Sequence, residues 1–560
     1  MQDSGTYQHR PSRLGSGFTI AVAGVVALPI LSVLWSAAES GFSPNWAHLW
    51  STVLPDYVAN TLLLSFWVAL GVSIVGVSTA WLVTMCRFPG SGFFEWALVL
   101  PMALPAYVVA FLFTDLLDYA GPVQKALRDW FEWRTRRDYW FPEIRSLGGA
   151  AFVMTMAFYP YVYLLARSAF LEQSHDAWEV SRTLGANSWR AFRRVALPMA
   201  WPSVVVGLAL ALMETLSDYG VVSFFSVQTL TNGLFNVWLV LGDRAAGAQM
   251  ALILLVFVVA LVLIERRARS RRAYFALSSR ARPGTPQALG GMAAAVACIV
   301  CALPVLIGFV LPVWLLLDLA SEHGAGLLTP EFLTVTLRSL LLAAAAAALA
   351  VTVALGMVYA ARIGLSRAAR AAVRIASFGY AIPGAVLAIG VLIPFGAMDR
   401  LIGTLLQGAF GISTGLLLSG TVFTLLAAYL VRFLTVSHGT LEAGLQRVRP
   451  TLDMAARTLG RGPVATLASV HLPMLRGTVL TATLLVFVDV MKELPATLVL
   501  RPFNFETLAT SVYTLASDER YGEAALPALA LTLAGLIPAI LLSRAIAGAR
   551  RTPALTEAIA

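Results

Sequence analysis

Twelve runs of mostly apolar residues, each close to the length needed to cross a bilayer, leave this chain few folds to choose from. A helical span takes about 20 apolar residues. The runs cover 17–38, 60–84, 95–117, 148–170, 203–226 and 248–264, then 291–318, 334–360, 372–396, 413–436, 476–500 and 524–544. Backbone polar groups in hydrocarbon have no water to bond, so a spanning segment must satisfy itself as a helix or close into a barrel. These runs are too long for barrel strands and lack their alternation. Only 12% of residues are charged, about half the share a soluble surface carries. The expected fold class is an all-α polytopic membrane protein with about 12 transmembrane helices. The first run lacks a small-residue cleavage site, so it is expected to stay as a span.

Charge sets the expected orientation. Of the net +10, most sits in alternate connections: Arg87, Arg182–Arg194, Arg266–Arg282, Arg362–Arg374, Arg447–Arg476 and Arg544–Arg551. With Arg10 and Arg13 inside, all of these are cytoplasmic, as the positive-inside bias requires. A nucleic-acid partner is not needed to explain the charge. The expectation is a multi-pass protein of a bacterial inner membrane, with both termini cytoplasmic. One connection dissents: Lys125–Arg145 mixes six basic with four acidic residues among Trp130, Trp133, Tyr139 and Trp140. That pattern suits an interfacial helix or an external docking surface.

The chain also repeats itself. Arg182-Thr183-Leu184-Gly185 returns letter for letter as Arg457-Thr458-Leu459-Gly460, 275 residues later. The following Leu197-Pro198 returns as Leu472-Pro473, so glycine and proline are 13 residues apart in both copies. Pro105 and Pro383 interrupt corresponding apolar runs, and matched breaks in the two halves of a transporter point to its pathway. The division expected is a tail 1–16, a first unit 17–264, a basic Pro/Gly/Ser-rich linker 265–290, a second unit 291–545 and a tail 546–560. These are two tandem six-helix repeats, with the route between them.

In each copy the residues before the glycine suit one short helix (Glu179–Leu184 in the first), and those after it a second (Ser188–Val195). Glycine supplies the positive φ of a tight helix end, and the Leu-Pro pair ends the module and leads into the next span. These segments, 176–198 and 451–473, resemble the EAA loops of ATP-binding-cassette importer permeases. The resemblance implies a type I importer-like fold, with docking to a dimer of ATPase subunits through Glu179, Arg182, Gly185, Leu197 and Pro198. In the second copy it implies Asp453, Ala455, Ala456, Arg457, Gly460, Leu472 and Pro473. The family's acid-Ala-Ala opening stands as Glu179-Val180-Ser181 in the first. In the second it is Met454-Ala455-Ala456, with Asp453 one place early. The chain has no GxxxxGK[ST] phosphate loop. ATP and Mg are therefore expected on the partner ATPase, with no cofactor and no enzymatic chemistry here. The resemblance further implies a periplasmic binding protein as partner, besides the lipid bilayer.

Each half places two acids four apart on one helical face: Glu214 and Asp218, then Asp489 and Glu493. An ionised group at bilayer depth costs at least ~2.5 kcal/mol. Four acids against a single Lys492 thus favour a cationic cargo, with Glu214 and Asp489 as a charged ring where the halves meet. The alternative is structural: the acids cap backbone groups at Gly220 and Pro495 or pair with Lys492. METLSDYGVVSFF together with VMKELPATLVLRPFNFETLAT resembles the fused permeases of ferric-iron importers over about residues 55–545. Asp218-Tyr219-Gly220 also resembles motifs of oxyanion permeases. Ferric iron wants oxygen ligands, and no metal-ligand set is firmly assigned. Thiamine, polyamine or phosphonate permeases are the alternatives, and a proton-coupled secondary transporter is the rival class. His175, His438 and His471 are given solvated or capping roles. Cys86, Cys298 and Cys301 are read as small core hydrophobes.

Overall fold

The computed structural model describes residues 12–39, 41, 43–172, 188–275, 287–323, 328–413 and 415–548. Helices dominate it. In chain order they include α1 (Arg13–Glu39), α2 (Leu54–Met85), α3 (Ala106–Leu117), α4 (Pro122–Phe131), α5 (Leu147–Glu172), α6 (Leu197–Ser217), α7 (Gly220–Phe224), α8 (Arg244–Phe275) and α9 (Gly291–Val305). The second half continues with α10 (Leu311–His323), α11 (Pro330–Ile363), α12 (Gly384–Phe410), α13 (Val422–Gln446), α14 (Pro450–Thr458), α15 (Leu472–Lys492), α16 (Pro495–Leu500), α17 (Leu508–Ser517) and α18 (Tyr521–Gly548). Among the described residues, 11 helices are long and apolar enough to span a membrane. The twelfth expected run, 524–544, lies in α18, a helix of 28 residues.

The expected single span 95–117 is instead three pieces. Ser91–Ala97 is followed by a 3₁₀ turn at Leu100–Ala103, and an extended step at Leu104-Pro105 precedes α3. The second half repeats the device, with a 3₁₀ turn at Gly379–Ala381 and an extended Ile382-Pro383 before α12. Proline pushes the residue before it out of the helical region, which is why both breaks fall there. Helix α8 runs to Phe275, past the expected end at 264.

Packing groups the chain differently from the sequence repeat. One compact unit holds 1–41 with 333–507, the other 42–332 with 508–560. In the first, α1 packs along α12 and the helix Arg367–Ala376, and α13 along α15. Ser32 on α1 donates to the Gly390 carbonyl on α12 at 2.5 Å. In the second, α2, α5 and α6 form the core, and α10 packs on α18. Without water to drive association, membrane helices join by close approach of small residues. A Cβ added at Gly76 of α2 would lie 2.8 Å from Val162 Cβ and 3.0 Å from the Tyr159 carbonyl on α5. Gly76→Leu is therefore expected to destabilise by about 1–3 kcal/mol and to lower membrane abundance. Gly24→Leu is expected to change neither, since nothing lies within 4 Å of that site. Thermal denaturation of the detergent-purified protein compares the two, and equal stability would remove the close-packing account.

The mixed-charge loop of this second unit is folded. Phe131, Trp133 and Tyr139 stack in series at 4.6 and 4.8 Å. Tyr139 donates to Gln124, and Arg128 donates to Tyr119 O. Backbone N–H groups of Thr135 and Arg134 hold the Asp138 carboxyl below its ordinary range. Arg145 joins the loop to Asp118 at 3.2 Å and to Glu519 at 3.0 Å.

Candidate functional site: an elbow and two broken helices

The second elbow lies wholly in the first unit. Pro450 opens α14 at a position where a missing N–H costs nothing, and Gly460 ends it at φ +72°. Gly460 N–H donates to the Arg457 carbonyl at 2.9 Å and Arg461 N–H to the Ala456 carbonyl at 3.0 Å. This paired closure is the Schellman arrangement that glycine favours at a helix end. A second helical segment then starts at Pro463. Leu459 and Val464, either side of the bend, are 78% and 79% exposed. Arg182, Gly185 and Glu179 of the first elbow fall outside the described residues.

The Leu-Pro pair leads into the span, as expected, but with no break between elbow arm and span. A π-helical stretch at Leu467–His471 runs without interruption into α15, placing Leu472 and Pro473 in its first turn. The first copy does the same: Phe192–Ala196 is π-helical and Leu197-Pro198 open α6. Proline has no N–H to bond the preceding turn. The wider π turn absorbs that lost bond and keeps the rod whole. The second arm of each elbow and its span are thus one helix.

At the far end of that rod the helix breaks. α6 stops at Ser217, Asp218 is extended, and α7 restarts at Gly220. Asp218 Oδ1 accepts from Val221 N–H at 2.8 Å. α15 stops at Lys492, Glu493 is extended, and α16 restarts at Pro495. Glu493 accepts from the N–H groups of Ala496 and Thr497 at 3.2 and 3.1 Å, and from the Thr497 hydroxyl at 2.9 Å. Carboxylates at restarted N-termini satisfy orphan donors and the helix dipole. Of the alternatives open in the sequence, these contacts realise capping for this pair. Glu214 and Asp489 sit one turn earlier, half-buried, one in each unit.

The charge balance needs correction. Lys492 is not the single cation: Arg432, inside the expected run 413–436, pairs with Glu493 at 3.0 Å, and both are buried. The signal was in the sequence, as the one arginine of an otherwise apolar run. His471 is also not solvated; it is fully buried, with Nε2 2.9 Å from Asp453 Oδ1. Cys86, Cys298 and Cys301 are free thiols. No group of three or more His, Cys, Asp or Glu among the described residues is placed to hold a metal.

Duplicated broken spans, each continuous with an elbow arm, suit an importer permease, and similarity to known proteins points the same way. Residues 72–273 match the family of binding-protein-dependent transport system inner membrane components. The chain is 26% identical over 528 residues to the Fe(3+)-transport system permease protein FbpB 2 of Haemophilus influenzae, covering 93% of this chain and 96% of that protein. It is also similar to the sulfate transport system permease protein CysT of Escherichia coli, 28% identical over 38% of this chain and 76% of that one. The molybdenum transport system permease protein ModB of Escherichia coli is 26% identical over 40% of this chain and 95% of its own length.

Proposed function

We propose that this permease carries ferric iron inward across the inner membrane, driven by a separate pair of ATPase subunits seated on the two elbows. A periplasmic binding protein delivers the cargo to the opposite face, where loop 118–146 lies, and both termini are cytoplasmic. One observation carries the choice of cargo: similarity to an Fe(3+) permease spans nearly the whole of both chains. The sulfate and molybdenum permeases match well under half of this one. The half-buried acids Glu214 and Asp489, one turn before the ends of α6 and α15, suit a hard cation. The exposed Leu459 and Val464 at the elbow suit a soluble partner's groove, because apolar side chains outside the bilayer otherwise face water.

Radiolabelled iron uptake in cells tests the cargo. Glu214→Gln with Asp489→Asn is expected to lower uptake about tenfold or more at normal membrane abundance, since amides keep shape and lose charge. Near-normal iron uptake by this double variant would remove the charge mechanism and leave the permease class standing. Orientation is checked separately. In a background free of native cysteines, Trp140→Cys and Phe503→Cys are expected to react with an impermeant reagent from the periplasm. Reaction only after the membrane is opened would invert the topology.

A further inference from the structure

The second elbow carries an acid that does not face outward. Asp453, on α14, is only 19% exposed, and both its oxygens are engaged within the chain. Arg362, at the last turn of α11, reaches Oδ2 with Nε at 2.9 Å and Nη2 at 2.8 Å. The same guanidinium donates to the carbonyls of Val448 at 2.8 Å and Leu445 at 3.3 Å, where α13 ends. Oδ1 lies 2.9 Å from Nε2 of His471, in the π stretch that feeds α15, although the ring N–H is not aligned for a hydrogen bond. Tyr359, one turn before Arg362, donates to the Pro463 carbonyl at 2.5 Å and meets the His471 ring edge-on at 5.5 Å. Asp453 and Arg362 together therefore tie four elements: α11, the end of α13, elbow helix α14 and the rod leading to Glu493.

We propose that Asp453 is a coupling strut inside this chain, binding the second elbow to the spans so that movement of the elbow is delivered to α15. Resting on the reading that the elbow docks an ATPase, it assigns that docking to neighbours such as Met454, Leu459 and Val464, all exposed. The guanidinium is fixed at three acceptors, Asp453 Oδ2 and the Val448 and Leu445 carbonyls, and a charge-assisted contact held this way is geometrically specific. The first elbow lacks the set: 275 residues earlier stand Arg87, Trp178, Ala196 and Thr84 in place of Arg362, Asp453, His471 and Tyr359. In sequence, the full set of four is present at the second elbow alone.

The test uses the full chain co-expressed with its ATPase and binding protein. Asp453→Asn and Arg362→Gln are each expected to keep the ATPase on co-purification while cargo uptake falls about tenfold, within the usual span of coupling free energies. ATP hydrolysis should persist but lose stimulation by loaded binding protein. The reversed pair, Asp453→Arg with Arg362→Asp, should recover part of the uptake. If Asp453→Asn fails to accumulate, Arg362→Lys serves, since it keeps the charge but loses the fork; unchanged uptake in that variant overturns the strut. So does loss of the ATPase from Asp453→Asn with retention by Arg362→Gln, which would make Asp453 an ATPase contact. Leu459→Asp with Val464→Asp should release the ATPase. Retention there sinks the elbow reading, and this proposal with it.

Discussion

Gly460→Pro is expected to leave the chain in the membrane at near-normal abundance while uptake falls about tenfold or more, given the ~3 kcal/mol or greater cost of proline in a forbidden site. The residue sits at φ +72°, which the pyrrolidine ring, fixed near −65°, cannot adopt. The N–H that Gly460 gives to Arg457 is lost as well. The damage stays local, because nothing lies within 4 Å of a Cβ at this position, so the spans are untouched. Gly460→Asn is the control: asparagine tolerates the left-handed region better than other side chains, so most uptake should remain. Uptake, ATPase co-purification and abundance are measured together. Parent-like values for the proline variant would show that the bend is dispensable. Repeat register predicts the same response at Gly185.

Arg432→Leu is expected to have the largest effect on stability, about 3–5 kcal/mol, because it strands the Glu493 carboxylate in a dry interior. Glu493 has 2% of its side chain exposed and Arg432 9%, so water can rescue neither. Tyr429, which shares the Thr497 hydroxyl at 2.6 Å, ties the pair into the core of its unit. Glu493→Gln is expected to cost less, since an amide oxygen still accepts from Ala496 and Thr497. Replacing both Arg432 and Glu493 by leucine should recover much of the loss, as removal of a whole buried pair often does. Thermal unfolding of the purified single and double variants gives the coupling energy. Strictly additive losses would mean that the two charges stabilise independently.

Glu493 shows where sequence reading stops. Its position after Lys492 and before Pro495 already announced a helix break, and capping was one of the open alternatives. Choosing it required the three donors of Ala496 and Thr497, which the sequence places nearby but does not aim. Arg432 was visible as a charge in an apolar run, yet its partner is 61 residues away. Nothing local links the two. His471 illustrates the opposite hazard: a histidine in a polar connection reads as solvated, and only the approach of α11 and α14 encloses it. Leu-Pro was legible as the junction of elbow and span, but not as a point within one unbroken helix, because a π turn that rescues a proline has no residue signature.

The sequence by itself determined the helices, the membrane, the two-fold duplication and the places where spans must break. Those depend on apolar length, on proline and glycine stereochemistry, and on a repeat register that survives substitution. Tertiary structure decided which helices share a core. α1 joins 333–507, whereas α9, α10, α17 and α18 join 42–332. Among spans of equal apolarity, hydrophobicity cannot choose a neighbour. The choice falls to close fits such as Ser32 on Gly390 or Gly76 against α5, and to charges like Asp453 whose partners lie far along the chain. Side-chain shape and ion pairing act at a few ångströms, and only the folded chain brings them to that range.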